Sequence, residues 1–336
     1  MLQTRTLFKT STSRSLRHLY STTNGSSNFK PVPSVPGPFT TLNPNDFRDH
    51  AFTPEKPLFI TANREAGSRA EFPAAKRWFT PSDRKDETGA RLLKINTHYL
   101  DQFSDTILPY ELISPSASAL DPSKEFGSPA VAAFLKTIIE NSEGTTFHRF
   151  SAPLSLFLLA ANNMSSTKPN PQLYIAQAQI IDLPPVLRAD LPTPNIVLEA
   201  GKGDVYDANI WLGIPPTYTP LHKDPNPNLF VQMARKKVVR ILKPDVGRAV
   251  FADVRSRMGE TGREGMRGVE MMEGVEKELL HEAVWGVEGE GEEIGSLEGF
   301  EATVGPMDAL FIPKGWWHSI RSVGKDVNAS VNWWFR

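Results

Sequence analysis

The chain has 336 residues, 40% hydrophobic and 22% charged, the composition of a globular protein long enough for one large domain or two small ones. Its 37 Lys and Arg against 38 Asp and Glu leave a formal net charge of −1, so no global basic field draws in nucleic acid. With no cysteine, disulfides, zinc fingers, iron–sulfur clusters and thiol nucleophiles are excluded together, and any metal must be held by His, Asp or Glu.

In chain order, Met1 to Asn45 contains no acid, while Arg5, Lys9, Arg14, Arg17 and Lys30 are spaced among Ser, Thr and Leu. That composition predicts a mitochondrial transit peptide over residues 1–30 and a matrix location. A basic disordered tail has the same composition and would leave the chain cytoplasmic or nuclear. Removing residues 1–30 takes five bases and no acids, so 32 bases face 38 acids and the net charge becomes −6. Residues 31–45 continue a stretch rich in Ser, Gly and Pro and read as a linker, with folding expected from near Asp46. Residues 46–172 read as a helical and mixed region packed on a core. Within them, Pro57 to Thr61 has a buried-strand pattern, and Ser128-Pro129 followed by Val131, Phe134, Leu135, Ile138 and Ile139 predicts a capped amphipathic helix. The longest apolar runs, such as Ala152 to Ala161, break well short of the roughly 18 residues of a membrane-spanning helix, so no membrane partner is expected.

From Leu173 the texture changes to short β-branched and aromatic runs broken by Pro, Gly and Asn, which predicts a mainly β core over residues 173–336. An acidic insertion over residues 260–299 interrupts it. Glu260 to Glu301 carries thirteen acids against Arg263, Arg267 and Lys277. Its middle, Glu270 to Trp285, has helical character, and Val287 to Gly299 reads as a solvated acidic loop. The run from Ala309 to Arg336 is apolar and aromatic and ends on a buried strand.

Two of the seven histidines stand where a metal site is conceivable. In Thr219-Pro-Leu-His222-Lys-Asp224 the His and Asp are two apart, so an extended strand projects both from one face. His318, in Pro313-Lys-Gly-Trp-Trp-His318, offers a third ligand. Two His and one carboxylate compose a facial triad, a donor set suited to non-haem Fe(II) with positions left for a chelating cosubstrate and O2. By itself the tripeptide is common, and a strand histidine is more often structural. An α-keto acid on such a metal would bury its distal carboxylate, which needs a buried cation. Lys237 is placed for this, with Thr219, Tyr174 and Asn228 as further donors, although it also reads as one more solvated base in Arg235-Lys-Lys237.

Three segments carry a resemblance. His222-Lys-Asp-Pro-Asn-Pro-Asn228-Leu-Phe-Val-Gln, Lys237-Val-Val-Arg-Ile-Leu-Lys-Pro244, and Phe300 to His318 resemble the JmjC, or cupin-like, family of 2-oxoglutarate oxygenases. Ser330-Val-Asn-Trp-Trp334 resembles that family's last core strand. The resemblance implies a double-stranded β-helix of jelly-roll type with N-terminal helical and mixed elements. It implies that His222, Asp224 and His318 hold Fe(II) and form the catalytic centre, and that Lys237, Thr219 and Tyr174 bind 2-oxoglutarate. Asn228 and Asn332 match positions lining the cosubstrate and iron pocket. Relatives usually place Gly two residues before the lysine, where this chain has Arg235, so a reshaped turn is expected, with Lys236 as the fallback. The chain stops at Arg336, just past the core, which leaves no C-terminal helices through which to dimerise.

The closest flavour is that of the small protein hydroxylases, so the implied activity is hydroxylation of a protein or peptide side chain, with release of succinate and CO2. N-demethylation uses the same triad. A tRNA-modifying oxygenase is the first alternative, disfavoured by the negative charge of the processed chain. A non-catalytic cupin-fold metal-binding or interaction module is the second.

Overall fold

A computed structural model describes residues 29–62, 72–85, 91–113, 129–141, 146–164, 172–259, 272–286 and 297–336. The strands, in chain order, are β1 (Phe29–Pro31), β2 (Ser34–Pro36), β3 (Leu58–Thr61), β4 (Phe79–Lys85), β5 (Arg91–Ile95), β6 (Ile107–Ile113), β7 (Phe147–Pro153) and β8 (Gln172–Gln179). They continue with β9 (Val205–Gly213), β10 (Tyr218–Lys223), β11 (Asn228–Ala234), β12 (Lys236–Leu242), β13 (Gly299–Val304), β14 (Ala309–Ile312), β15 (Trp317–Val323) and β16 (Asn328–Phe335). Two sheets carry the fold. One has the order β1-β13-β12-β15-β10 and the other β2-β3-β14-β11-β16-β9-β8-β6-β7, while β4 and β5 form a separate ribbon.

The two large sheets face each other, as a double-stranded β-helix requires. Phe230, Leu310 and Ile312 of the nine-stranded sheet meet Val239, Ile241, Ala302 and Val304 of the five-stranded sheet in one apolar layer. The outer face of the nine-stranded sheet carries the largest core, where Leu229, Val231, Met233, Val331, Trp333 and Phe335 pack against the N-terminal helices. The outer face of the five-stranded sheet is covered by the helices Pro244–Arg257 and Gly274–Trp285, which enclose Leu221, Leu242 and Trp317. With both faces covered, β11 and β16 are buried along their whole length, so they lose the apolar–polar alternation of a half-exposed strand.

The predicted helix forms over Pro129–Glu140 and buries Val131, Ala132, Leu135 and Ile139, while Ser128, its expected cap, lies outside the described residues. The predicted strand at Pro57 to Thr61 forms as β3. Asp190 ties the N-terminal region together by accepting hydrogen bonds from Arg77, Trp78 Nε1 and the Tyr99 hydroxyl at 2.6, 2.9 and 2.7 Å. In the acidic insertion the helix covers Gly274–Trp285, and residues 260–271 and 287–296, including most of the expected acidic loop, lie outside the described residues. The helix is not a solvated appendage. Leu280, Val284 and Trp285 are buried, and Glu276 is buried beside Arg255 at 2.9 Å.

The linker expected over residues 31–45 is corrected. β1 pairs in parallel with β13 and β2 in parallel with β3, so this segment adds an edge strand to each sheet. Val32 and Phe39 are buried, and the Phe29 ring lies 4.6 Å from the buried Arg240 guanidinium. Three-residue strands are too short to show a period, and Pro is tolerated at a sheet edge, so their composition imitates a linker. Ordered structure is thus present from Phe29, ahead of Asp46, and a cut near residue 30 would fall within β1. The predicted transit peptide otherwise lies outside the described residues. A chain starting at residue 46 is expected to lose about 4 kcal/mol of stability, from two buried side chains at about 2 kcal/mol each. Urea unfolding of the truncated and full chains measures this, and an unchanged midpoint would contradict the structural role of the segment.

Candidate metal centre and cosubstrate pocket

Antiparallel β10 and β15 place His222 directly opposite His318. Their rings lie 4.2 Å apart between centroids. A register shift between Thr219 and His222 lets both residues face the inside of the barrel, although strict alternation would send positions three apart to opposite faces. Leu221 points outward into the core beneath the two covering helices, as does Trp317 beside His318. Asp224, just past the end of β10, turns its carboxylate to the same inner face and is buried.

His222 Nε2 stands 3.8 Å from Asp224 Oδ1, and His318 Nε2 stands 3.5 Å from Oδ2. The ligand atoms of all three residues lie within 4.8 Å of one another. Each imidazole is oriented by its other nitrogen: Nδ1 of His222 donates to the Pro220 carbonyl at 2.9 Å, and that of His318 donates to the Trp316 carbonyl at 3.4 Å. Nε2 of each ring is the atom turned toward the carboxylate. Burial first, and the neighbouring His222 ring second, push His318 down to about 4, so its imidazole is neutral at physiological pH. Two imidazole nitrogens and a carboxylate converging on one point fit a divalent cation of the Fe(II) type.

A one-way hydrogen-bond chain supports the carboxylate. Trp211 Nε1 donates to Asn332 Oδ1 at 2.7 Å, Asn332 Nδ2 to Asn228 Oδ1 at 3.3 Å, and Asn228 Nδ2 to Asp224 Oδ2 at 2.9 Å. Asn228 and Asn332 therefore orient the Asp224 carboxylate besides lining the cavity. Trp211 was not foreseen from the sequence.

Lys237, at the start of β12, shares the inner parity of Val239 and Ile241 and is buried. Its Nζ donates to the Ser330 hydroxyl at 2.9 Å and the Tyr174 hydroxyl at 3.2 Å, and lies over the rings of Phe230 and Tyr174 at 5.4 and 5.7 Å. No carboxylate pairs with it among the described residues. Burial alone lowers its pKa to about 7. A buried ammonium facing a cavity without its anion fits the distal carboxylate of a keto acid. Arg235 adopts φ 61°, the left-handed region that favours Gly, with its guanidinium held by Asp326 at 2.9 Å, and Lys237 rather than the fallback Lys236 lines the cavity.

Gly213 makes room for Tyr174. A Cβ there would stand 2.7 and 2.9 Å from two Tyr174 ring atoms, so the ring lies against bare backbone and carries its hydroxyl to Lys237. Ser330, also not foreseen, was signalled by its spacing of two from Asn332, which puts both on the inner face of β16. All eight residues predicted for the site, His222, Asp224, His318, Lys237, Thr219, Tyr174, Asn228 and Asn332, line one cavity of about 130 Å³.

Residues 66–336 match the cupin-like domain family. The chain belongs to that family. The match begins well ahead of residue 173, so strands β4 to β7 fall within the family domain rather than beside it. Among curated proteins, the chain is 28% identical over 170 residues to "Lysine-specific demethylase 8" of Danio rerio, covering 48% of this chain and 36% of that protein. It is 25% identical over 192 residues to "Lysine-specific demethylase JMJ30" of Arabidopsis thaliana, covering 57% and 38%. To "JmjC domain-containing protein F" of Dictyostelium discoideum it is 27% identical over 192 residues, covering 52% and 38%. The alignments thus span little more than a third of these relatives' length.

The orphaned ammonium gives a test with opposite signs in two assays. Lys237→Met removes a buried charge without leaving a hole, so the thermal midpoint of the metal-free protein is expected to stay level or rise. The affinity for 2-oxoglutarate is expected to fall about a hundredfold, measured by calorimetry with the metal bound. Full affinity in the variant would show that the lysine does not hold the cosubstrate.

Proposed function

We propose that the chain is an Fe(II)- and 2-oxoglutarate-dependent oxygenase that hydroxylates a protein side chain. The observation that carries this reading is the pairing of a convergent His222–Asp224–His318 donor set with the unpaired ammonium of Lys237 in one cavity. Bound there, iron and the keto acid supply oxidation of an unactivated C–H bond, one oxygen atom of O2 entering the product and the other entering succinate as CO2 leaves.

The protein's part is placement. His222 and His318 would offer imidazole nitrogens, and Asp224 would offset one unit of the metal's charge. Lys237, with the hydroxyls of Tyr174, Ser330 and Thr219, fixes the far end of the keto acid, so its chelating end meets the metal in one orientation. Trp211 and Trp334 wall the cavity and exclude water. Hydrogen abstraction needs no general base, so the site requires no Ser–His–Asp set.

The relatives' names favour a second outcome at the same site. Hydroxylation of an N-methyl carbon collapses to formaldehyde and the free amine, which is demethylation, and two of the relatives cited are called lysine-specific demethylases. Both outcomes take a protein substrate. The acid-free N-terminus supports a mitochondrial address, with processing ahead of Phe29 so that β1 survives. N-terminal sequencing of the protein from isolated mitochondria checks this: a terminus upstream of Phe29 is expected, and unprocessed protein confined to the cytosol would refute it.

Anaerobic titration of the metal-free protein with Fe(II) and 2-oxoglutarate tests the chemistry without knowledge of the substrate. A visible metal-to-ligand charge-transfer band is expected in the wild type, lost in His222→Ala and weakened in Lys237→Ala. Folded, iron-loaded protein without the band would overturn the oxygenase reading in favour of a non-catalytic cupin-fold module.

A further inference from the structure

A guanidinium lies on the outer face of the five-stranded sheet, beneath a helix whose other contacts there are largely apolar. Arg240, on β12, is 2% exposed and shares the outward parity of Leu242. A buried charge costs stability unless its donors are met. Three separate parts of the chain supply the partners. Nε donates to Glu301 Oε2 on β13 and Nη1 to the Val284 carbonyl of the helix Gly274–Trp285, each at 2.7 Å. The guanidinium carbon also lies 4.4 Å from the Trp285 ring and 4.6 Å from the Phe29 ring of β1.

Register explains the cluster. Arg240 lies opposite Glu301 on one neighbouring strand and opposite Ser319 on the other, so the three side chains form a row on one face. Phe29 reaches this row because its partner on β13 is Gly299, where a Cβ would stand 2.6 Å from a Phe29 ring atom. At the far end, Trp285 Nε1 donates to Ser319 Oγ, which donates to the Thr219 carbonyl, each at 2.8 Å. Arg321 lies over Trp285 as well, 4.3 Å from its ring. Ser319 follows His318 directly, and Thr219 opens the register shift that lets His222 face inward. A continuous path thus joins β1 to both imidazoles, along the face of the sheet opposite the cavity.

We infer that Phe29 is a positioning residue of the metal centre: β1 latches Arg240 and Trp285, and Trp285 pins the bulge in β10 through Ser319. The spacing of His222 and His318 then depends on an N-terminal strand that does not line the cavity. This rests on the reading of His222, Asp224 and His318 as a metal site. It also makes trimming of the chain past Phe29 a means of lowering metal occupancy in a folded protein. Phe39 supplies the comparison, because it anchors the same N-terminal segment but packs on Phe72 behind the other sheet.

The test reads Co(II) binding to the full chain by visible absorption, together with hydrogen exchange at the Thr219, Leu221 and His222 amides of the metal-free protein. Phe29→Leu keeps apolar bulk without a ring face, and it is expected to weaken Co(II) about tenfold and to speed exchange at those amides. Phe29→Tyr keeps the ring and is expected to match the wild type in both. Trp285→Phe keeps a ring beside Arg240 but loses the donor to Ser319, with the same expected loss. Combining Phe29→Leu with Trp285→Phe is expected to cost little more than either alone, since both break one path. Phe39→Leu is expected to lower the urea midpoint and leave both readouts unchanged. Wild-type Co(II) affinity or wild-type exchange in Phe29→Leu, additive losses in the double variant, or an equal loss in Phe39→Leu overturns the inference. Co(II) binding that survives His222→Ala overturns the metal-centre reading, and exchange that still depends on Phe29 then leaves the latch on β10 standing.

Discussion

His222 and His318 face each other across an antiparallel ladder, and the rest of the site is positioned from that pair. Opposed strand residues bring their side chains together without long, flexible reach, so the imidazole spacing is set by backbone hydrogen bonds. A slip of one residue would turn one ring out of the barrel. The apolar packing behind the strands prevents it: Leu221 and Trp317 alternate with the two histidines and are buried under the covering helices. Gly247 lets the helix Pro244–Arg257 press directly on Trp317, where a Cβ would approach an indole carbon to 2.1 Å. Trp285 Nε1 donates to Ser319, whose hydroxyl donates to the Thr219 carbonyl, each at 2.8 Å, so the helix of the acidic insertion also anchors the bulge in β10. The metal-facing geometry is thus maintained from the opposite side of the sheet.

Lys237 shows the cost of a functional charge. Two hydroxyls and two ring faces solvate the ammonium in part, but none neutralises it, and burial lowers its pKa to about 7. The surrounding structure forces this position. Arg235 holds the left-handed turn through its contact with Asp326, and the following strand runs Lys237, Val239 and Ile241 along one inner face. The interaction that satisfies the lysine is one the free protein lacks. On the proposed reading, a dianion bound there would recharge it, and cosubstrate affinity would be strongest below about pH 7 and weaken above it, as binding must then also take up a proton.

The sequence disclosed the parts of the molecule whose constraint is local. His-x-Asp on an extended segment, the aromatic-flanked His318, the helix from Pro129 and the buried final run all follow from spacing of one to four residues. What stayed hidden depends on partners far away in the chain. Ser330 and Trp211 reach their partners only once β16 lies beside β9 and opposite β12; β16 is buried throughout, whereas β9 is only partly covered and Trp211 is half-buried. In β16 the polar residues Asn328, Ser330 and Asn332 nevertheless share one parity, a usable signal for a polar cavity inside an otherwise apolar strand. β1 and β2 were illegible for another reason: each gains its stability from a parallel partner tens or hundreds of residues away, and three residues carry no period.

The same contrast separates the reaction centre from the wall beside it. The groups proposed to meet the metal and the keto acid lie between Tyr174 and Asn332, where donor geometry would restrict the choice of residue at each position. Glu111 and Arg149 lie earlier, on strands that prolong the nine-stranded sheet past β8 and form one wall of the cavity. Nothing in a coordination sphere fixes residues on that wall. The two regions join through β8, where Glu111 lies opposite Tyr174 and the flanking Tyr110 and Leu112 share one core with Leu173 and Ile175. The Tyr174 ring, seated against Gly213 with its hydroxyl on Lys237, links that wall to the buried lysine.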